Sequence, residues 1–345
     1  MWLLVFLGVL AALPLRYLLI LVSNLLATGP PRVPDWLPFI GSGLRFGANP
    51  TAFLTACRAK YGPVFTVLLG GKLMTFVGTM EGVRVLFKAK DWLSFDSISE
   101  EFTKKVFGGS DRLLTEENTA AIHSLYHSHL LPKGPATNLT KTAQEVITRT
   151  IQSEFPVGGD PLPLYTAVER VMYRATSTAL FGEDNPVVSE PGFKAFETFD
   201  NSFHLLALGL PQFLFKTAFT ARDRMASYFK DISLYEDKAS QFIKDRDTLL
   251  RTQTDDLDRG RIQTAIVWAS VGNSVPAAFW TLYYILQDPA LLAEVKTEIA
   301  AAKSGETFTM DDLESMALLD SCMHEALRMK SSVMMLRRTL APGKL

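Results

Sequence analysis

The sequence predicts a mainly α fold with a small β-sheet, preceded by an N-terminal membrane anchor. Three observations carry that prediction. Trp2–Ala27 is apolar except for Arg16, Ser23 and Asn24. One pair of strand-like runs, in PVFTVLLGGKLMTFVG (63–78), flanks Gly70-Gly71. The remainder reads as a succession of helices, and 48% apolar residues are enough to give them a sizeable core.

The elements follow in order. About 20 helical residues, at roughly 1.5 Å each, cross a bilayer, so Trp2–Ala27 is long enough despite Pro14 and Arg16. A cleaved signal peptide would open on a basic residue, and the chain opens on Met1-Trp2. Lys and Arg are more frequent after this segment than before it, which places the rest of the chain on the cytosolic side. The stretch TGPPRVPDWLPFIGSG (28–43) is a collar stiffened by Pro30, Pro31, Pro34 and Pro38. It is expected to hold the globular part off the anchor. Gly70-Gly71 is a two-residue hairpin turn. Helices are expected at 50–59, 80–89, 117–130, 140–154, 163–180, 191–208, 219–251, 261–287, 290–302 and 310–329. The last is announced by the cap Thr309 and the acid Asp312 three residues on. The domain boundaries are an anchor at 1–28, a Pro-rich hinge at 29–43 and a globular domain at 44–345.

Composition excludes several functions. A net charge of −1 gives no bulk electrostatic case for nucleic acid. The two cysteines, Cys57 and Cys322, are too far apart in sequence for a zinc-type spacing and too few for a disulfide framework. His123, His127 and His129 cluster, but no Cys, Asp or Glu nearby completes a metal set, and no metal site is predicted there. Asn138-Leu139-Thr140 is a glycosylation sequon that a cytosolic location would leave unused.

Two stretches carry chemistry. WASVGNSVPAAFW (268–280) sits mid-way in a helix that is apolar on all sides and so expected to be central. Gly272 lowers helix stability there, and Pro276 frees the carbonyl of Gly272. With Asn273 and Ser274 beside it, the stretch is a polar notch. Either something occupies the notch, or the polar side chains are satisfied inside the helix. In SCMHEALRMK (321–330), Glu325 and Arg328 share a helix face. Met323, Ala326, Leu327 and Met329 around them predict a pair at least partly buried, rather than a surface ion pair. His324-Glu325 lacks the second His, at 328, that a zinc-protease helix needs.

The order of anchor, collar, KYGPVFTV hairpin, notched helix and Glu-x-x-Arg helix resembles the cytochrome P-450 family of haem-thiolate monooxygenases. The resemblance covers nearly the whole chain. Glu325-Ala326-Leu327-Arg328 matches the family's structural Glu-x-x-Arg pair, Pro30–Gly41 its hinge and Lys60–Val67 its first sheet. The family's notch reads Ala-Gly-x-acid-Thr. Aligned on Trp280, this chain has Ala269-Ser270-Val271-Gly272-Asn273, so Gly272 replaces the acid and Asn273 the threonine. That departure is similar to the sterol-handling branch, which includes bile-acid and oxysterol 7α-hydroxylases, 12α-hydroxylases and prostacyclin synthase.

The resemblance implies haem b, dioxygen, an NADPH-cytochrome reductase as electron donor, a sterol or oxysterol substrate, membrane lipid contact and an endoplasmic reticulum location. It assigns Asn273, Gly272 and Ser274 to oxygen handling. Ala269, Arg337 or Arg338, and His123 or Lys133 fall to the haem, and Leu205, Leu206, Trp268 and Met334 to the substrate. The apolar region Leu205–Phe215 is a second lipid contact. The family's axial cysteine lies in Phe-x-x-Gly-x-x-x-Cys-x-Gly, downstream of Glu-x-x-Arg, and neither Cys57 nor Cys322 stands in such a motif. The expectation is therefore a cytochrome P-450 fold lacking its C-terminal haem-cysteine region, with no metal ligand and no turnover by this chain alone. Two other readings stay open: a prostacyclin-synthase-like isomerase, and a non-enzymatic, membrane-bound, lipid-binding fragment.

Overall fold

The computed structural model describes residues 2–340 apart from 132, 157, 208–212, 214, 253, 332 and 333. The chain forms two units, Met1–Phe95 with Ser332–Leu345, and Asp96–Ser331.

The first unit is built on the expected hairpin. Strands β1 (Val64–Leu69) and β2 (Lys72–Val77) pair antiparallel, from Val64 opposite Val77 to Leu69 opposite Lys72. Gly70 and Gly71 have φ of 56° and 80°, the double left-handed turn that matches strand twist. A side chain at Gly71 would also meet the ring of Phe39 at 2.6 Å. Helix α1 (Trp2–Leu26) precedes the hairpin, as do α2 (Gly43–Ala48) and α3 (Pro50–Tyr61). Asn49 caps α3 by accepting the Ala52 N–H, and Pro50 sits where no donor is needed. Phe53 and Cys57 of α3 pack on Val33, Phe65 and Val67 as a small core. Helix α4 (Met80–Lys88) follows β2, and the short strand β3 (Leu93–Ser94) pairs with β4 (Arg338–Thr339).

The collar does not hold α1 at a distance. It runs along β1, with the Val33 N–H donating to the Thr66 carbonyl at 2.8 Å, and α1 is fastened to it. Asp35, whose side chain is fully buried, accepts from Arg16 of α1 at 2.7 Å and from Arg32 at 3.0 Å. The Asn24 amide donates to the Arg32 carbonyl and accepts from the Arg32 N–H, at 2.7 and 2.8 Å. Tyr17 stacks on Trp36, with ring centroids 4.7 Å apart. The polar interruptions that look like defects in an apolar run are thus its fastenings. The physical reason is desolvation: Arg16 and Asn24 find in the collar the partners that a lone apolar helix cannot offer. Among the described residues, no helix is long and apolar enough to cross a membrane.

Among the described residues the second unit contains helices and no strand. It comprises α5 (Asp96–Phe102), which runs into a wide turn over Thr103–Phe107, then α6 (Glu116–His129), α7 (Lys133–Glu154), α8 (Leu164–Phe181) and α9 (Glu190–Ala207). After them come α10 (Lys216–Ser227), α11 (Gln241–Arg251), α12 (Asp256–Gln287), α13 (Pro289–Ala302), α14 (Met310–Ser315) and α15 (Ala317–Lys330). The core gathers Phe181, Phe196, Phe199, Phe229, Phe242 and Met225 around the buried stripe Val267, Val271 and Val275 of α12. Helices α8, α10 and α15 pack on α12 along its length.

Two expected helices are each broken in two. The span 219–251 divides into α10 and α11 around two single turns, Ile232–Leu234 and Glu236–Lys238. Asp231 accepts the Ser233 N–H, Ser240 accepts the Ile243 N–H, and buried Tyr235 anchors the turns, so side-chain capping outcompetes helix propensity. The span 310–329 breaks at Met316. The Thr309/Asp312 capping box starts α14 as expected, and Glu298 of α13 starts α15 by accepting the N–H groups of Leu318 and Leu319 at 2.7 and 2.9 Å.

Asp35→Ala is expected to lower stability by about 2 kcal/mol, because it removes charged hydrogen bonds whose donors can still reach water. Chemical unfolding would measure the loss, and limited proteolysis would show faster cleavage within 28–43.

Candidate functional site

The candidate site is one face of α12. Asp255 caps the helix by accepting the Asp258 N–H, and the helix continues without a break through Gly272 and Pro276. Its first half is buried on several sides, at Asp258, Arg259, Ile262, Gln263 and Thr264. From Val267 onward it is one-sided, which corrects the expectation of a rod buried all round. Val267, Val271 and Val275 face the core, while Ala269 and Asn273 are exposed and Gly272, Pro276 and Trp280 are half-buried. Helical spacing makes these five an open stripe.

The polar residues of the notch bond back along the helix. Ser270 Oγ donates to the Ile266 carbonyl at 2.8 Å, Asn273 Nδ2 to Ala269 at 3.0 Å and Ser274 Oγ to Ser270 at 2.7 Å. Internal satisfaction therefore accounts for the serines. Asn273 does not reach the Gly272 carbonyl that Pro276 frees. Its bond runs one turn earlier, and its amide oxygen is left as an acceptor on an exposed side chain.

Trp268 opens the stretch and is held by α9. Its Nε1 donates to Asp200 Oδ1 at 2.9 Å. The indole stacks on Phe203 at 4.1 Å and 4°, and Phe107 meets it at 61°. A Cβ at Gly272 would lie 3.7 Å from that Nε1. Burial pushes the Asp200 carboxyl above the ordinary range, while the Trp268 bond draws it down. On α8, burial raises the Glu169 carboxyl, and Glu197 and Asp200 raise it further. Burial lifts the Tyr165 hydroxyl, with Glu169 and Asp200 adding to it.

Glu325 and Arg328 form the expected pair, with bonds of 2.7 and 2.6 Å. The pair is not buried: the side chains are 55% and 70% exposed. Helix α15 turns Ala326 inward and this face outward, so the methionines beside the pair do not cover it. Beyond it, Lys330 lays its ammonium 4.0 Å over the Trp280 ring.

The remaining candidates are dispersed. His123 is exposed on α6, and His129 pairs with Asp245 at 2.9 Å. Among the described residues, no three His, Cys, Asp or Glu side chains gather to hold a metal. Leu206 is buried in the core, while the side chains of Leu205 and Lys133 lie outside the described residues. Arg337, Arg338 and Met334 belong to the first unit. The Arg337 guanidinium donates to the Leu336 carbonyl and lies 5.7 Å from the Phe95 ring, Arg338 is in β4, and Met334 is exposed. Sequence reasoning missed Asp200, Phe203 and Lys330. The first two had a signal: Asp200 stands among Phe196, Phe199 and Phe203, which share the inward face of one helix.

The cytochrome P450 family pattern matches residues 31–262 and 261–342. The chain belongs to the cytochrome P450 family. It is 30% identical over 343 residues to the cholesterol 7-alpha-monooxygenase of Cricetulus griseus, covering 89% of this chain and 66% of that protein. It is 27% identical over 332 residues to the 24-hydroxycholesterol 7-alpha-hydroxylase of Homo sapiens, covering 91% and 69%. The solved retinoic acid bound cyanobacterial CYP120A1 superposes with a TM-score of 0.65 at 18% identity, covering 87% of this chain and 69% of that one, which supports the fold. The chain thus spans about two thirds of the length of the curated relatives it matches.

Cytochrome P450 membership implies haem. The small Ala269 and Gly272 of the open stripe leave room for a group to approach the α12 backbone. The thiols do not fit an axial role. Cys57 is buried in the core under the hairpin, and burial raises its pKa. Cys322 is half-buried on α15 and is raised by burial and then by Glu298. A thiolate ligand needs the opposite shift.

Two predictions follow from these charges. Glu169 binds its proton more tightly folded than unfolded, so its stabilising contribution is complete in acid and is lost as pH rises through the raised folded value. Glu169→Gln is therefore expected to raise the melting temperature at neutral pH, with the gain vanishing below the ordinary glutamate range. A pH series of melting curves checks this. For the exposed Glu325–Arg328 pair, Arg328→Ala is expected to leave the melting temperature of this chain nearly unchanged.

Proposed function

We propose that the protein belongs to sterol oxidation, as a 7α-hydroxylase-type monooxygenase acting on cholesterol or an oxysterol. The observation that carries this reading is the Gly272/Asn273 replacement of acid and threonine, set on the open stripe of α12 beside an aromatic wall. The two relatives' names, cholesterol 7-alpha-monooxygenase and 24-hydroxycholesterol 7-alpha-hydroxylase, support it. When bound, haem supplies the oxygen chemistry, with electrons from an NADPH-cytochrome reductase. This chain's own part is to hold a flat apolar substrate against Trp268 and to offer the Asn273 amide at the stripe, where it orders water. Ser274 shapes the same turn.

The protein is further proposed to act at the endoplasmic reticulum membrane with its second unit in the cytosol. The apolar run Trp2–Ala27 supports this, as do the exposed Leu15, Leu18, Leu19, Val22, Leu25 and Leu26 of α1. Carbonate extraction that releases the chain would sink this part.

A second reading holds for the 345-residue chain by itself: it binds sterol or lipid without turnover. The raised Cys57 and Cys322 thiols favour it. Purified chain is expected to bind sterol yet fail to give the red-shifted carbon monoxide band of a reduced haem-thiolate. A clear band would force one of the two cysteines into an axial role. Asn273→Leu is expected to leave melting temperature and sterol affinity unchanged, because among the described residues its bond is a solvent-exposed one to Ala269. A lower melting temperature would make Asn273 structural instead.

A further inference from the structure

Helix α9 turns Phe196, Phe199 and Phe203 toward the core, and Asp200 stands half-buried in the same stretch. A carboxylate among phenylalanines is costly unless it is hydrogen-bonded. Its partner is the indole N–H of Trp268, the single donor of that side chain. The indole is thereby fixed three ways: in plane by Asp200, on one face by Phe203, and by the inclined ring of Phe107. Gly272 lies against the bonded nitrogen. The position where the wider family carries an acid is thus within contact of the donor that Asp200 holds. An aspartate at 272 would crowd a second carboxylate onto it.

We propose that Asp200 is a positioning residue that sets substrate preference. It locks Trp268 as a rigid wall beside Ala269, Gly272 and Asn273, and this wall favours a flat, fused-ring apolar molecule over a flexible acyl chain of equal apolar area. A rigid wall and a rigid ligand lose little freedom on meeting, whereas an acyl chain must freeze its rotamers. The substrate class rests on the sterol reading above; the lock does not. In the lock, Asp200 bonds Trp268 of α12 and acts on Glu169 and Tyr165 of α8, and Glu169 also feels Glu197 of α9.

The test uses the full chain in detergent, with labelled tryptophan. Five indole N–H signals are expected, and Trp268→Phe identifies one by its loss. Asp200→Leu is expected to move that signal to a rapidly exchanging position. It is also expected to lower the ratio of cholesterol to oleate affinity about tenfold, the loss of one charged hydrogen bond. Asp200→Asn keeps an acceptor and is expected to restore both. Trp268→Phe keeps a six-membered ring against Phe203, loses the donor together with the pyrrole ring, and is expected to give at least the same fall in the ratio. An unmoved Trp268 signal in Asp200→Leu overturns the lock. A moved signal with an unchanged ratio, or an unchanged ratio in Trp268→Phe, overturns the assignment to substrate preference. If the unsubstituted chain binds no cholesterol, the sterol reading fails, and the indole signals still decide the lock.

Discussion

The second unit depends on how one 32-residue helix is accommodated. At roughly 1.5 Å per residue, α12 is close to 50 Å long, longer than a small domain is wide, so it meets several environments in turn. Where it enters, its polar groups are buried and must be paired. Arg246 of α11 donates to Gln263 Oε1, to the Ile262 carbonyl and to the Tyr126 hydroxyl, at 3.1 to 3.3 Å. Arg259 pairs with Asp256, and Arg261 reaches the Gly108 carbonyl. These bonds tie α6, α11 and the turn after α5 to one end of the helix. They fix its rotation about its own axis, and that rotation decides which residues form the open stripe.

The first unit uses the same logic on a smaller scale. Asp35 is a buried acid whose pairing with two arginines joins α1 to the collar, and the collar in turn bonds β1 of the hairpin through its backbone. Arg16 is partly exposed, so the joint is not a deep ion pair of the costly kind. It directs rather than merely stabilises. With its polar groups turned to the collar, the rest of α1 beyond Leu13 shows leucine and valine outward.

Much of this was legible in the sequence because it is local. Gly70-Gly71, the Thr309 cap and the starts of α3, α4 and α8 are set by residues within a turn of one another. The residues of the notch were legible for the same reason. What the sequence could not yield depends on contacts across dozens of positions. Glu298, from inside α13, begins another helix some 20 residues on. Asp200 and Trp268 are 68 residues apart. The burial of Glu325 and Arg328 was misjudged because apolar neighbours in sequence are not neighbours in packing. Met323, Leu327 and Met329 are themselves exposed.

The notch shows why α12 can carry weak helix formers at its functional point. Gly272 and Pro276 reduce local propensity, and Ser270, Asn273 and Ser274 each turn a hydrogen bond onto a carbonyl one turn back. Propensity alone would let such a segment unwind. Val267, Val271 and Val275 hold it, since all three are buried on the opposite side at one-turn spacing. Burying them is worth of order 1.5–3 kcal/mol each, more than Gly272 costs and comparable to Pro276. Packing on the inner face thus sets the helix path, and the outer face is free of the duty of maintaining it. Glycine and asparagine can stand where the wider cytochrome P450 family has an acid and a threonine without changing the course of the chain. The acid that remains in contact with the notch comes from α9, by way of an indole.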